Sequence, residues 1–133
     1  MSKTRRRRAP KVGDVLLVQI AENVPPGVEQ QGARPAVVVA TPGSTGPQRV
    51  GVLVIVPLTT ATGQWIRSNP TLYPRLSAGQ GGLNLDTTAM IDHVQAVDAA
   101  RVSKFFGTLT LDEFAPIKNG LEQMFGFGRE GFL

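Results

Sequence analysis

One histidine, His93, and no cysteine leave this chain few side chains for chemistry. Thiol nucleophiles, disulfides and thiolate zinc sites are excluded, and a lone imidazole makes neither a triad nor a metal cage. The stretch of most chemical interest is GVEQQGARPAVVV, Gly27 to Val39, in which a polar loop runs into one arginine, a proline and an apolar strand. Gly27, Glu29, Gln30, Gln31 and Gly32 would bring backbone donors and side-chain amides close to a ligand, and Arg34 stands where loop meets sheet. A planar guanidinium on a strand edge recognises a phosphodiester by paired hydrogen bonds, more selectively than a mobile lysine. The same pattern also fits an arginine that is solvated or paired with Glu29, so pattern alone leaves both readings standing.

The elements that must position Arg34 are short apolar runs separated by turn residues. Val12 to Ile20 reads as a first strand, and Pro25-Pro26-Gly27 breaks the chain before the loop. Ala36 to Ala40 is a second strand. Val50 to Leu58, almost continuously apolar, suits a strand buried on both faces. A long irregular segment, Thr60 to Asn84, carries Trp65 and Tyr73, and long ordered loops are uncommon without a function. Thr87 to Val97 reads as a further strand, and Ser103 to Gly107 as a short strand or turn. The last element is a helix, with Leu111, Phe114, Ile117, Leu121, Met124 and Phe125 mostly on one face and a Thr110–Glu113 capping box. Pro116 inside it predicts a kink or a start later than Thr110. Gly126 would end it.

Length and composition suit a single domain with its own core: 133 residues, 41% hydrophobic. No apolar run reaches the roughly 18 residues that span a bilayer. SKTRRRRAPK at the start lacks the apolar core of a secretory signal, so the expected location is cytoplasmic, without a membrane partner. The formal charge of +4 is misleading as a surface property. Lys3, Arg5, Arg6, Arg7, Arg8 and Lys11 hold six of the 14 positive charges, and the remaining eight face all ten acids. Residues 1–11 therefore read as a basic, disordered arm and residues 12–133 as the domain. The arm would either add phosphate contacts to nucleic acid or remain a solvated tail.

Four motifs occur in a telling order: GDVLLV at Gly13–Val18, GVEQQGARPAVVV at Gly27–Val39, VPLTT at Val56–Thr60 and MIDHVQAVD at Met90–Asp98. From about Lys11 to Gly126 the chain resembles the MazF/PemK family of toxin endoribonucleases. The resemblance implies a mainly β fold with a C-terminal helix, a small SH3-like barrel of the MazF/PemK/CcdB type, and a twofold homodimer. It implies metal-independent, cofactor-free cleavage of single-stranded RNA, with an antitoxin as the second partner. The family's catalytic arginine matches Arg34 and its catalytic threonine matches Thr59. Glu29, Gln30, Thr60, Gln64, Trp65, Asp92 and His93 are the RNA-contacting residues expected by the same likeness, with Trp65 or Tyr73 either stacking on a base or capping the core.

Where many members read D-Q-x-R, this chain reads Asp92-His93-Val94-Gln95. A histidine placed before E-Q in one branch is Val28 here, and that branch's arginine is Met90. Its acid/base scheme does not carry over. His93 could move a proton, as imidazoles do near neutrality, or could simply replace the usual glutamine as a hydrogen-bonding strand residue. The changed motif also keeps open a non-cleaving SH3-like binding module, or a gyrase-inhibiting toxin of the same fold.

Overall fold

Valine, leucine and isoleucine runs become the strands of a curled antiparallel sheet in the computed structural model, which describes residues 8–20 and 32–127. The strands are β1 (Asp14–Gln19), β2 (Ala33–Ala40), β3 (Val52–Thr59), β4 (Arg75–Leu76), β5 (Thr87–Ala89), β6 (Gln95–Asp98) and β7 (Val102–Thr108). Two helices join them, α1 (Gln64–Ser68) and α2 (Leu111–Phe125). Across the sheet the order is β4-β5-β3-β2-β1-β7, and β6 pairs with the first half of β3. No helix of the described residues is long and apolar enough to cross a membrane.

Side-chain alternation along the central strands feeds two cores, one on each sheet face. Val15, Val37, Val56, Leu58, Leu76, Ala89 and Ile91 pack with Ile117 of α2 on one face. Leu16, Val18, Ala36, Val38, Leu53, Ile55 and Val97 form the second cluster on the other. The expectation that the third apolar run is buried on both faces is met by β3, which supplies Val56 and Leu58 to one cluster and Leu53 and Ile55 to the other.

Helix α2 begins where the sequence places it. Thr110 Oγ1 accepts the Glu113 amide at 3.1 Å, and Glu113 Oε1 accepts the Thr110 amide at 2.9 Å. Pro116 does not delay the start. Its missing amide orphans the carbonyl of Asp112, and both residues lie on the exposed side, open to solvent. Gly126 closes the helix at φ 72°, a left-handed conformation.

Two expectations need correction. Thr87 to Val97 is not one strand: β5 ends at Ala89, a 3-10 turn spans Ile91–His93, and β6 starts at Gln95. The break coincides with the place where β3 changes partner, pairing through Val52–Ile55 with β6 and through Leu58–Thr59 with β5. Pro57 sits between, without an amide hydrogen for a continuous ladder, and its carbonyl accepts the Met90 amide at 3.0 Å. The stretch from Thr60 to Asn84 is also less irregular than expected, since it holds α1, β4 and a 3-10 turn at Gln80–Gly82. A Cβ on Gly82 would lie 2.1 Å from the Phe106 carbonyl oxygen, so only glycine lets this turn rest on the backbone of β7.

Of the basic arm, residues 1–7 lie outside the described residues, while Arg8 to Lys11 are tied to the domain by a buried carboxylate. Asp14 accepts both Arg8 guanidinium nitrogens at 3.1 Å, the Lys11 amide at 2.9 Å and the Thr108 hydroxyl at 2.8 Å. Arg8 also lies over the Phe105 ring, 5.0 Å from its centroid. Burial alone would raise the Asp14 carboxyl, but the bonds from Arg8, the Lys11 amide and Thr108 outweigh it and hold the group below its ordinary 3.8. A carboxyl lowered on folding stabilises above its unfolded pKa, and that contribution fades as pH falls through the folded value. Asp14→Asn should therefore cost about 1–2 kcal/mol near neutrality, a figure kept small because Arg8 is half exposed. Denaturant melts of both proteins across the acid range should show the gap closing below pH 3.8; a constant gap would refute the latch.

Candidate active site

Antiparallel register brings together residues far apart in sequence. Ala36, Val37 and Val38 of β2 face Pro57, Val56 and Ile55 of β3, and continuing that register by two residues puts Arg34 opposite Thr59. Arg34 is the second residue of β2, whose strand begins at Ala33 and pairs with β1 through Val18↔Arg34. Val37 and Leu58 turn into the core beneath α2. Arg34 and Thr59 therefore share the opposite face, at the end where the second cluster gives way to solvent, and both are partly buried. Neighbouring strands lie about 4.8 Å apart, so the two side chains can reach one anionic group.

Thr59 is oriented by its own turn. Its Oγ1 accepts the Ala61 amide at 3.1 Å, which occupies a lone pair and leaves the O–H to donate elsewhere. An arginine fork beside such a hydroxyl suits a phosphodiester with two nonbridging oxygens. Beyond Thr59 opens a groove of about 460 Å³ lined by Thr60, Ala61, Thr62, Arg75, Asp86 and Thr88 among others.

The other expected contacts form a second group. Trp65, on α1 and 44% exposed, meets Tyr73 edge to face with centroids 4.8 Å apart. Tyr73 donates its hydroxyl to Asp92 Oδ2 at 2.6 Å, and that bond to a carboxylate pushes the phenol pKa up. His93 Nε2 is 3.9 Å from Asp92 Oδ1, and its side chain is 59% exposed. His93 thus lies on a 3-10 turn, not in a strand as the sequence suggested. Gln64 is engaged within its own helix by Ser68 and Arg67. Glu29 and Gln30 lie outside the described residues.

Exposure of His93 makes its role testable. If Arg34 and Thr59 are the chemical pair, His93→Gln should keep nearly full RNA cleavage and leave the pH–rate profile unaltered. Loss of a limb between about pH 5 and pH 8 in that variant, with its fold intact, would make His93 an acid or base.

Sequence reasoning missed Arg75, Asp86 and Thr88. They carry no motif, and only strand pairing gathers them: Thr88 faces Thr59 across β5–β3 and Arg75 across β5–β4.

Residues 11–125 match the model of the family described as PemK-like, MazF-like toxin of type II toxin-antitoxin system. Among solved structures, MazF from Deinococcus radiodurans is similar at TM-score 0.67 and 20% identity, over 91% of this chain and 100% of that one. A mycobacterial endoribonuclease in complex with its cognate antitoxin is similar at TM-score 0.65 and 18% identity, over 92% and 100%. Mycobacterium tuberculosis toxin MazF-mt6 follows at 0.63 and 14%, over 85% and 96%. At such identities the likeness shows the fold. No curated protein matches by sequence.

Proposed function

Since this chain belongs to the PemK-like, MazF-like toxin family of type II toxin-antitoxin systems, we propose that it is a metal-independent endoribonuclease that cuts single-stranded RNA at a short sequence. The observation that carries this reading is the β2–β3 register, which, continued two residues past Ala36↔Pro57, sets the partly buried Arg34 opposite the partly buried Thr59. The RNA's own 2′-hydroxyl attacks the adjoining phosphorus and loses its proton, the P–O5′ bond breaks, and the 5′-oxygen takes up a proton. Products are a 2′,3′-cyclic phosphate and a 5′-hydroxyl. Such a reaction asks the protein for in-line placement and for donors to the charged phosphorane, which Arg34 and the Thr59 hydroxyl supply. Arg34 acts as the electrostatic partner, because a guanidinium holds its proton near neutrality and is a poor base there.

The toxin would act as a homodimer. An antitoxin would silence it by laying an acidic segment over the Arg34 environment, in keeping with the mycobacterial relative solved with its cognate antitoxin. Incubation with mixed-sequence RNA in EDTA tests the reading. Discrete fragments with 5′-hydroxyl ends are expected. Shifted but intact RNA would instead mark a binding module, and gyrase inhibition without RNA fragments would mark the other toxin activity of this fold.

A further inference from the structure

Strand pairing extends the Arg34–Thr59 pair into a transverse row. Thr59 on β3 faces Thr88 on β5, and Thr88 faces Arg75 on β4. Leu58, Ala89 and Leu76, the sequence neighbours of these residues, all enter the core beneath α2. Thr59, Thr88 and Arg75 therefore take the same sheet face as Arg34, with Thr88 buried within the row. At about 4.8 Å per strand, Arg75 lies some 10 Å beyond Thr59, too far to share its phosphate and close enough to meet a neighbouring nucleotide.

The groove between them is not built for a second phosphate. Asp86 Oδ2 pairs with Arg75 at 3.3 Å, and Asp86 Oδ1 accepts the Ala78 amide at 2.8 Å, so a fixed carboxylate stands beside the guanidinium. It would repel an anion. With Asn84, Thr60 and Thr62 in its lining and Leu85 62% exposed as an apolar surface, the groove offers donors, acceptors and an apolar contact. That combination complements the edge and face of a nucleobase. Among the four bases, guanine sets an acceptor, O6, beside two adjacent N–H donors on one edge, matching a guanidinium next to a carboxylate.

We propose that the groove lined by Arg75, Asp86 and Leu85 is a base pocket that selects guanine at one nucleotide beside the scissile phosphate, with Arg75 and Asp86 as specificity-determining residues. The cleavage part rests on the endoribonuclease reading; the binding part stands without it.

Two measurements on the full chain keep these apart. Sequencing the ends cut from a random RNA pool should show guanine enriched roughly tenfold at one flanking position, the scale of one good polar pair. The enrichment should fall toward parity in Asp86→Asn, which keeps an acceptor for the Ala78 amide, and in Arg75→Lys, which keeps charge but loses the fork. A merely structural Asp86 would lower the melting temperature and leave the base ratios unchanged, which would overturn the proposal. Titrating the four nucleoside monophosphates, followed by amide NMR shifts at Ala78, Leu85 and Asp86, should single out guanosine monophosphate in the parent protein and lose that selectivity in Asp86→Asn. Guanine-selective shifts without any RNA cutting would sink the nuclease reading and leave the pocket. Cutting with no guanine preference and equal shifts for all four nucleotides would sink the pocket alone.

Discussion

Arg34→Ala protein should cut RNA roughly a hundred- to a thousandfold more slowly than its parent, the scale of losing a donor aimed at transition-state charge. The argument starts from the sheet, since Arg34 belongs to β2 and faces Thr59 by the β2–β3 register. Truncation there removes the fork while leaving the strand, whose neighbours Ala36, Val37 and Val38 carry the packing. The fold should hold. Single-turnover rates on a short fluorogenic RNA give the direct comparison, and Arg34→Lys refines it. A lysine keeps the charge but not the paired donors, so it should recover only part of the rate. Parental activity in Arg34→Ala would remove this residue from the mechanism.

Thr59→Val should lose about two orders of magnitude, with Thr59→Ser recovering most of the rate. Valine keeps the branched shape suited to the end of β3 and deletes only the hydroxyl. That hydroxyl has two tasks, because Oγ1 accepts the Ala61 amide at 3.1 Å as well as facing the row with Arg34. Loss of the amide bond alone loosens the Thr60–Thr62 turn at the surface, at a cost of about 1 kcal/mol in stability. A rate loss far larger than the stability loss, rescued by serine, separates the phosphate contact from the turn. Equal rates in the valine and parent proteins would leave Thr59 as a turn residue only.

Much of the architecture was legible because its causes are local. The apolar runs around Leu16, Val38 and Ile55 became strands, and the Thr110–Glu113 box set the first turn of α2. Such signals depend on alternation and on a cap three residues away, both readable along the chain. Strand limits moved by a few residues, most tellingly at Ala33, where pairing with β1 draws Arg34 into β2. Ser103 to Gly107 became the longer β7 (Val102–Thr108) because β1 offers it a partner.

By itself, then, the sequence determined the main strands and the C-terminal helix, the poverty of chemical groups, and the two residue types suited to a phosphate. Tertiary structure alone decided which residues meet. The break at Ile91–His93 follows from β3 changing partners around Pro57, which no local pattern announces. Asp14 finds Thr108 across 94 positions, and so converts the end of a basic arm into a latch. Residues 34, 59, 75 and 88 line up only because three antiparallel pairings share a register. Pairing is a contact between distant segments, chosen by which faces both cores must bury; a strand read alone shows its alternation but not what will stand beside it.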